Sequence, residues 1–276
     1  MNVFSIDLED WFHLLDTDAA PSFCDWSELE SRVEGNARAL LTELDHHCVR
    51  ATFFVLGWVA ERYPQLVCEI AERGHEIASH GYAHELVYEI GRDAFREDLK
   101  RSKDAIESAA NISPKGYRAP GFSITWKTPW AFDVLAEEGF EYDSSVFPSL
   151  RAHGGMSGAD PLPSRLANGI DEYPISTVNL AGSRLGYLGG GYLRLMPRIA
   201  LLHLARSQVR RSEPLILYIH PRDIDLAQPR IDLGALRSLR TYVGLRGCMG
   251  KVRALLESFE WGRFEDLRIA SSGAGR

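Results

Sequence analysis

The chain has 276 residues, 45% of them hydrophobic and 25% charged, a composition that supports one large core and excludes a disordered or fibrous protein. A formal net charge of -7 without basic runs excludes nucleic acid as a partner and a cationic membrane-surface helix. No apolar segment reaches membrane length, so stable membrane insertion is not expected, and Asp7, Glu9 and Asp10 interrupt any apolar leader.

The elements read in chain order as alternating strands and helices. Val3 to Leu8 has the pattern of a short strand whose carboxylates emerge at its C-terminal end. A helix is predicted from about Glu28 to His46, opened by a Ser27/Glu30 capping box, and the run Ala51 to Leu56 reads as a strand buried on both faces. A helix over Pro64 to Arg73 stops at Gly74, a strand covers Glu76 to Ser79, and Asp93 opens another helix. Thr128-Pro129 begins a helix that Gly139 ends, ahead of Phe140 to Tyr142. Residues 149–197, rich in Gly, Ser, Pro and Leu, keep no period and are expected to be a long irregular insertion. A strand at Leu215 to Ile219 and a helix over about Gly250 to Phe259 follow, with a C-terminal helical extension from about residue 226 and fraying expected at Ser271 to Arg276. This alternation predicts a single α/β domain, a parallel sheet wrapped by helices as either a barrel or an open sheet. Cys24, Cys48, Cys68 and Cys248 lack metal spacing, so reduced thiols and a cytoplasmic protein are expected.

Four polar clusters stand at or near the predicted strand ends. His80 and His84, four residues apart after a short strand, can share one ion, with Gly81 allowing a tight path between them. Two neutral imidazoles call for a carboxylate as third ligand, which the Asp7, Glu9 and Asp10 group offers; three carboxylates this close cannot all stay ionised in a buried site without a cation. Arg118 precedes Ala-Pro-Gly on a stiffened backbone and can clamp a carboxylate. His220 ends the apolar run Leu215 to Ile219 and is stopped by Pro221.

In this order the clusters resemble the polysaccharide deacetylases of carbohydrate esterase family 4, the NodB-homology domain, over about residues 1–225. The first motif is matched by Asp7 to Asp10, the second by His80 and His84, the third by Arg118 and Pro120, the fourth by Asp143, and the fifth by Leu217 to His220. Asp-Leu-Glu-Asp-Trp-Phe, Gly-Gly-Gly-Tyr-Leu-Arg and His-Pro-Arg-Asp-Ile-Asp resemble a branch associated with bacterial exopolysaccharide gene clusters.

The resemblance implies a distorted (β/α)7-type barrel that holds a divalent metal, zinc foremost, and removes acetyl groups from N-acetylated, sometimes O-acetylated, sugars. It implies Asp7 as base, with Asp10 joining His80 and His84 as metal ligand and Glu9 able to replace either acid. Arg118 would hold the base, and His220, oriented by Asp143, would protonate the leaving amine. Tyr82, Pro120, Gly121, Phe122 and Leu217 would contact the carbohydrate, with an oxyanion donor from Gly121-Phe122.

This chain departs from the family in spacing its first acids as Asp7-Leu8-Glu9-Asp10 and in lacking a tryptophan after Asp143, so Trp126 or Trp130 is considered for the acetyl pocket. The alternatives are a ureide or cyclic-amide amidase of the same fold and a non-catalytic carbohydrate-binding homologue.

Overall fold

The computed structural model describes residues 1–15, 17–149, 151, 154–180 and 182–267, so the fraying expected at Ser271 to Arg276 lies outside the described residues. Strands form where apolar, β-branched and aromatic residues are buried on both faces. β1 (Asn2–Leu8), β2 (Thr52–Val55) and β3 (Glu76–Ser79) are buried at every position. Two-residue strands carry the sheet onward: β4 (Gly116–Tyr117), β5 (Tyr142–Asp143), β6 (Ser164–Arg165) and β7 (Asp171–Glu172). β8 (Thr177–Leu180) and β9 (Ser183–Gly186) form a separate hairpin, while β10 (Ile216–Ile219) and β11 (Trp261–Gly262) both return to β1.

The main sheet runs β10-β1-β2-β3-β4-β5-β7-β6, with β11 also beside β1. Only the β6/β7 pairing in it is antiparallel. A curled, mostly parallel sheet wrapped by helices is the distorted (β/α)7-type architecture expected. The helices are α1 (Val33–His46), α2 (Gly57–Arg62), α3 (Pro64–Glu72), α4 (Val87–Ala110), α5 (Trp130–Glu137), α6 (Gly190–Leu195), α7 (Arg198–Arg210), α8 (Ala235–Tyr242) and α9 (Leu245–Ser258).

The pleat of β1 divides the core. Phe4, Ile6 and Leu8 join Leu40, Leu41, Leu66 and Leu255 in the layer between sheet and helices, whereas Val3 joins Phe54, Tyr142, Tyr218 and Phe264 inside the curl. Ser5 and Asp7 share the face of Val3, and the Ser5 hydroxyl donates to the Leu217 carbonyl at 2.6 Å. An ionisable group on this odd-numbered face therefore points into the interior.

Three expectations about the elements are corrected. The Ser27/Glu30 capping box does not open α1: residues Phe23–Glu28 form a 3-10 turn, and α1 starts at Val33 because the distant Asp10 carboxylate accepts the N–H groups of Arg32 and Val33. The helix expected from Asp93 begins at Val87 and crosses a kink at Gly91, whose φ is 77°. The segment at about 149–197, expected to be irregular, supplies β6 and β7 to the main sheet and carries a hairpin and α6; beyond residue 226 the chain forms α8 and α9 and then packs β11 onto β1.

Candidate metal centre and catalytic cleft

Strand register assembles the site. Leu8 pairs with Val55, Val55 with Ser79, Ser79 with Tyr117, and Tyr117 with Asp143. The next residue along β1, β3 and β4 is Glu9, His80 and Arg118, so these three emerge together at the C-terminal edge, where barrel chemistry collects. Ile6 pairs with Ile219, which sets His220 opposite Asp7. Sequence separations of up to 213 residues thus converge by register alone.

The loop from His80 to His84 is shaped by Gly81 at φ 74° and by the Asp98 carboxylate of α4, which accepts the N–H groups of Tyr82 and Ala83 at 2.9 and 3.2 Å. His80 Nδ1 lies 2.7 Å from the Arg118 carbonyl, an acceptor only, so the ring carries its proton there and aims a lone pair from Nε2. Nε2 of His80 and of His84 both converge on Glu9 Oε1, at 3.1 and 2.9 Å. Glu9 Oε2 is buried without a hydrogen-bond partner. Burial pushes the Glu9 carboxyl up, but the surrounding imidazoles outweigh it and hold it well below the usual carboxylate range; burial pushes His84 below the imidazole range. An ionised carboxylate facing a lone pair across about 3 Å is the arrangement a cation relieves, and two nitrogens with one oxygen are a zinc-type donor set.

Asp10 does not join them. The pleat turns it to the helix-facing side, where it accepts from Ser31 Oγ, Arg32 N–H, Val33 N–H and Trp11 N–H as a helix cap, so it is Glu9, not the expected Asp10, that stands with the histidine pair. Asp7 stays near the centre: its Oδ1 accepts from Arg118 Nη1 at 2.6 Å. The fully buried Arg118 also bonds Ser5 Oγ, Ser144 Oγ and the Ser144 carbonyl, and stacks 4.0 Å over Phe54, so each edge of the guanidinium is fixed.

His220 Nε2 lies 3.8 Å from both Asp7 Oδ2 and Glu9 Oε1. Its Nδ1 meets Asp223 at 2.9 Å, and Asp223 also accepts the His220 N–H at 2.9 Å. Asp143, expected to orient His220, sits one residue short of the edge and is occupied by Ser145 and by the buried Glu172; the acid that meets the His220 ring is Asp223. Burial lowers His220, but Glu9 and Asp223 together raise it above the usual imidazole range. Asp223 is held well below the carboxylate range, against its burial, by His220 and by Arg194, whose Nε is 2.8 Å away. Sequence reasoning missed Asp223, Arg194 and Arg222; a carboxylate three residues after His220, across the Pro221 turn, was the available signal for the first.

Of the expected sugar contacts, only Phe122 lines the cleft beside Glu9 and His220, a cavity of about 610 Å³. Pro120 opens the 3-10 turn Pro120–Phe122, and Gly121 holds φ 62° within it; because the Phe122 N–H is donated to Ala119, the turn's donor reduces to Gly121. Two corrections follow: Tyr82 faces the helix layer, bonding Glu61 and Arg101, and Leu217 is fully buried in the core. Trp126 and Trp130 line a different hollow, so Phe122, Tyr192 and Tyr218 are the aromatic walls here.

Residues 22–141 match a family model described as polysaccharide deacetylase, and residues 144–268 match a second described as a domain of unknown function, DUF3473. A peptidoglycan-N-acetylglucosamine deacetylase of Bacillus cereus is 31% identical over 117 residues, covering 38% of this chain and 42% of that protein. A chitooligosaccharide deacetylase of Rhizobium leguminosarum bv. trifolii is 37% identical over 98 residues, 35% of this chain and 42% of the relative. The matches to these curated relatives span less than half of their length.

Among solved structures, a Mycobacterium smegmatis protein assigned as a polysaccharide deacetylase superposes with a TM-score of 0.57 at 25% identity, over 99% of this chain and 93% of its own. An allantoinase shares the fold with a TM-score of 0.60 at 16% identity, over 96% and 87%. The segment similar to polysaccharide deacetylases, residues 22–141, thus delivers the histidine pair and the arginine that meet Glu9 and Asp7 at one sheet edge, and over nearly its whole length the chain shares the fold of a solved structure assigned to that activity.

Proposed function

We propose that this protein is a metal-dependent hydrolase that removes the acetyl group from an N-acetylated sugar. The observation that carries the reading is the convergence of two imidazole Nε2 atoms on one carboxylate oxygen, with a second carboxylate and a polarised histidine 3.8 Å apart beside it. Glu9, His80 and His84 would hold the divalent ion. When bound, such an ion lowers the pKa of a water toward neutrality and polarises the acetyl carbonyl.

The chain's own groups divide the proton work. Asp7, tethered through Oδ1 by Arg118, leaves Oδ2 to accept a proton from the attacking water. Asp223 fixes the His220 ring by its Nδ1 edge, so the Nε2 proton points toward Asp7 and the cleft and can pass to the leaving nitrogen, which departs only as an amine. Acetate and an amino sugar form, and the proton on Asp7 restores His220 across 3.8 Å. Phe122, Tyr192 and Tyr218, which line the cleft, wall the acetyl methyl.

Four free thiols, Cys24 and Cys48 exposed, Cys68 half-buried and Cys248 buried, support a reducing compartment and hence the cytoplasm, and no helix among the described residues is long and apolar enough to cross a membrane. With the exopolysaccharide-branch resemblance, they favour a polymer precursor as substrate. The test is acetate release from N-acetylglucosamine oligomers by the zinc-loaded protein, with parallel ureide substrates. Release abolished by a chelator and restored by zinc is expected; ureide hydrolysis without acetate release would replace this reading with the amidase.

A further inference from the structure

Among the described residues, the cleft beside the reaction centre is lined by five arginines, Arg151, Arg194, Arg222, Arg237 and Arg240, and two carboxylates, Glu9 and Asp223. Asp223 answers Arg194 and His220, and Glu9 faces the histidine pair through Oε1 with Arg222 3.7 Å from its Oε2. Every one of the five arginines comes from residues 144–268, the segment without an assigned function. Among the described residues, Arg151 and Arg240 have no carboxylate partner, and a neutral glycan would offer them none.

Unsatisfied donors point the same way. Arg151 Nη1, Arg222 Nη1 and His13 Nε2 are buried with no hydrogen-bond partner, and all three residues line this cleft. His13 is 1% exposed and packed edge-on against Phe12 and Trp58; its Nδ1 accepts the Asp10 N–H at 3.0 Å, so Nε2 is an N–H donor. A buried donor left unmade costs about 1–3 kcal/mol, and native proteins keep few of them unless a ligand or water supplies the acceptor. A sugar hydroxyl brings a donor with each acceptor. An anionic oxygen group brings acceptors alone, and a guanidinium fork fits it in two-point fashion.

The rim is built to keep that charge in place. Arg237 and Arg240 lie one turn apart on α8 and so share a side of the helix. The C-terminal end of α8 is pinned by Arg194, whose guanidinium donates to the carbonyls of Arg240, Thr241 and Val243 while its Nε holds Asp223. One buried arginine thus ties the cationic rim to the acid that orients His220.

We infer that residues 144–268 form an anion-recognising subsite beside the reaction centre, and that the preferred substrate is an N-acetylated sugar carrying a phosphate ester or a carboxylate. This rests on the deacetylase reading, which it deepens by naming the substrate class. Acetate release by the zinc-loaded full chain is to be compared for a neutral chitooligosaccharide, N-acetylglucosamine 1-phosphate and an N-acetyl disaccharide bearing a uronate. The expected result is a kcat/KM at least about tenfold higher for one charged substrate than for the neutral one, an advantage that shrinks with added salt. Whichever charged substrate wins identifies phosphate or carboxylate as the source.

In Arg237→Gln/Arg240→Gln, and to a lesser degree in Arg240→Gln, where the side chain is solvent-exposed, the charged-to-neutral ratio should collapse toward one. Equal efficiency on all three substrates overturns the anion subsite and leaves the deacetylase reading standing. Acetate from none of them overturns the deacetylase reading, and calorimetric titration with N-acetylglucosamine 1-phosphate then decides the subsite by itself. Binding weakened about tenfold in the double variant supports the subsite, and binding absent or unchanged by it overturns it.

Discussion

Three carboxylates within four residues meet three fates, and the strand's period of two decides which. Asp7 and Glu9 lie on the interior face, one tethered by Arg118 and one opposed to the histidine pair, while Asp10 turns outward and ties off the first turn of α1. The contrast is testable in two variants. Glu9→Gln should abolish tight zinc binding, measured as metal per chain after dialysis, with little loss of stability. Asp10→Ala should retain zinc and lose roughly 2 kcal/mol in urea unfolding, because four donors lose their common acceptor. Zinc lost from Asp10→Ala but kept by Glu9→Gln would reverse the two assignments. The histidine pair and the Arg118 clamp were readable because their spacing and flanking residues are local. The choice among Asp7, Glu9 and Asp10 was not, since it depends on which residues of α1 lie across the pleat.

At the scale of elements, the seam between the Gly-rich segment and β10 shapes the cleft. Gly189 bridges Tyr218 in parallel, and a Cβ there would sit 1.9 Å from the Tyr218 ring; at Gly191 the nearest atom would be 3.5 Å away, an ordinary contact. Gly189→Ala should therefore cost about 1–3 kcal/mol in urea unfolding and lower acetate release, because Tyr218 meets Phe122 and His220 edge-on, with ring centroids 4.9 and 5.7 Å away. Gly191→Ala should leave stability nearly unchanged, and equal losses in the two variants would mean the seam is not what the glycines serve. The sequence showed this segment only as aperiodic. Strands of two residues, such as β6 and β7, leave no period to read, and the buried stripe of α7 runs Leu201, Ala205, Gln208, where a polar residue breaks the apolar pattern because it bonds Tyr187 and Ser176. The long strands and the helix over Pro64 onward were legible because their burial is continuous or evenly spaced.

The two family matches meet between residues 141 and 144, yet the molecule is not divided there. β5 occupies that junction inside the sheet, β10 and β11 both pair with β1, and the reaction centre takes its histidine pair from one segment and His220 from the other. The C-terminal end is latched through Glu76 on β3, whose carboxyl accepts from Thr52 at 2.5 Å, Tyr142 at 2.8 Å and the Glu265 N–H at 3.2 Å. Burial pushes the Glu76 carboxyl up to about 7 from an ordinary 4.5. The folded chain then holds a proton that the unfolded chain has lost, so this group's contribution is full below pH 4.5 and disappears as pH rises through about 7, a change of about 3 kcal/mol at most. Its neighbour His75, lowered by burial to about 4 from 6.5, acts in the opposite sense: its contribution is present above 6.5 and lost as pH falls through about 4. The two contributions nearly cancel each other between pH 4.5 and 6.5, and the loss from Glu76 continues alone up to about pH 7. Glu76→Gln removes one of the opposing slopes. Urea unfolding across pH 4 to 8 should show the variant gaining stability relative to the wild type as pH rises from 4.5 to about 7; parallel curves for the two proteins would mean that the Glu76 carboxyl is not raised in the folded chain and that the latch carries no proton.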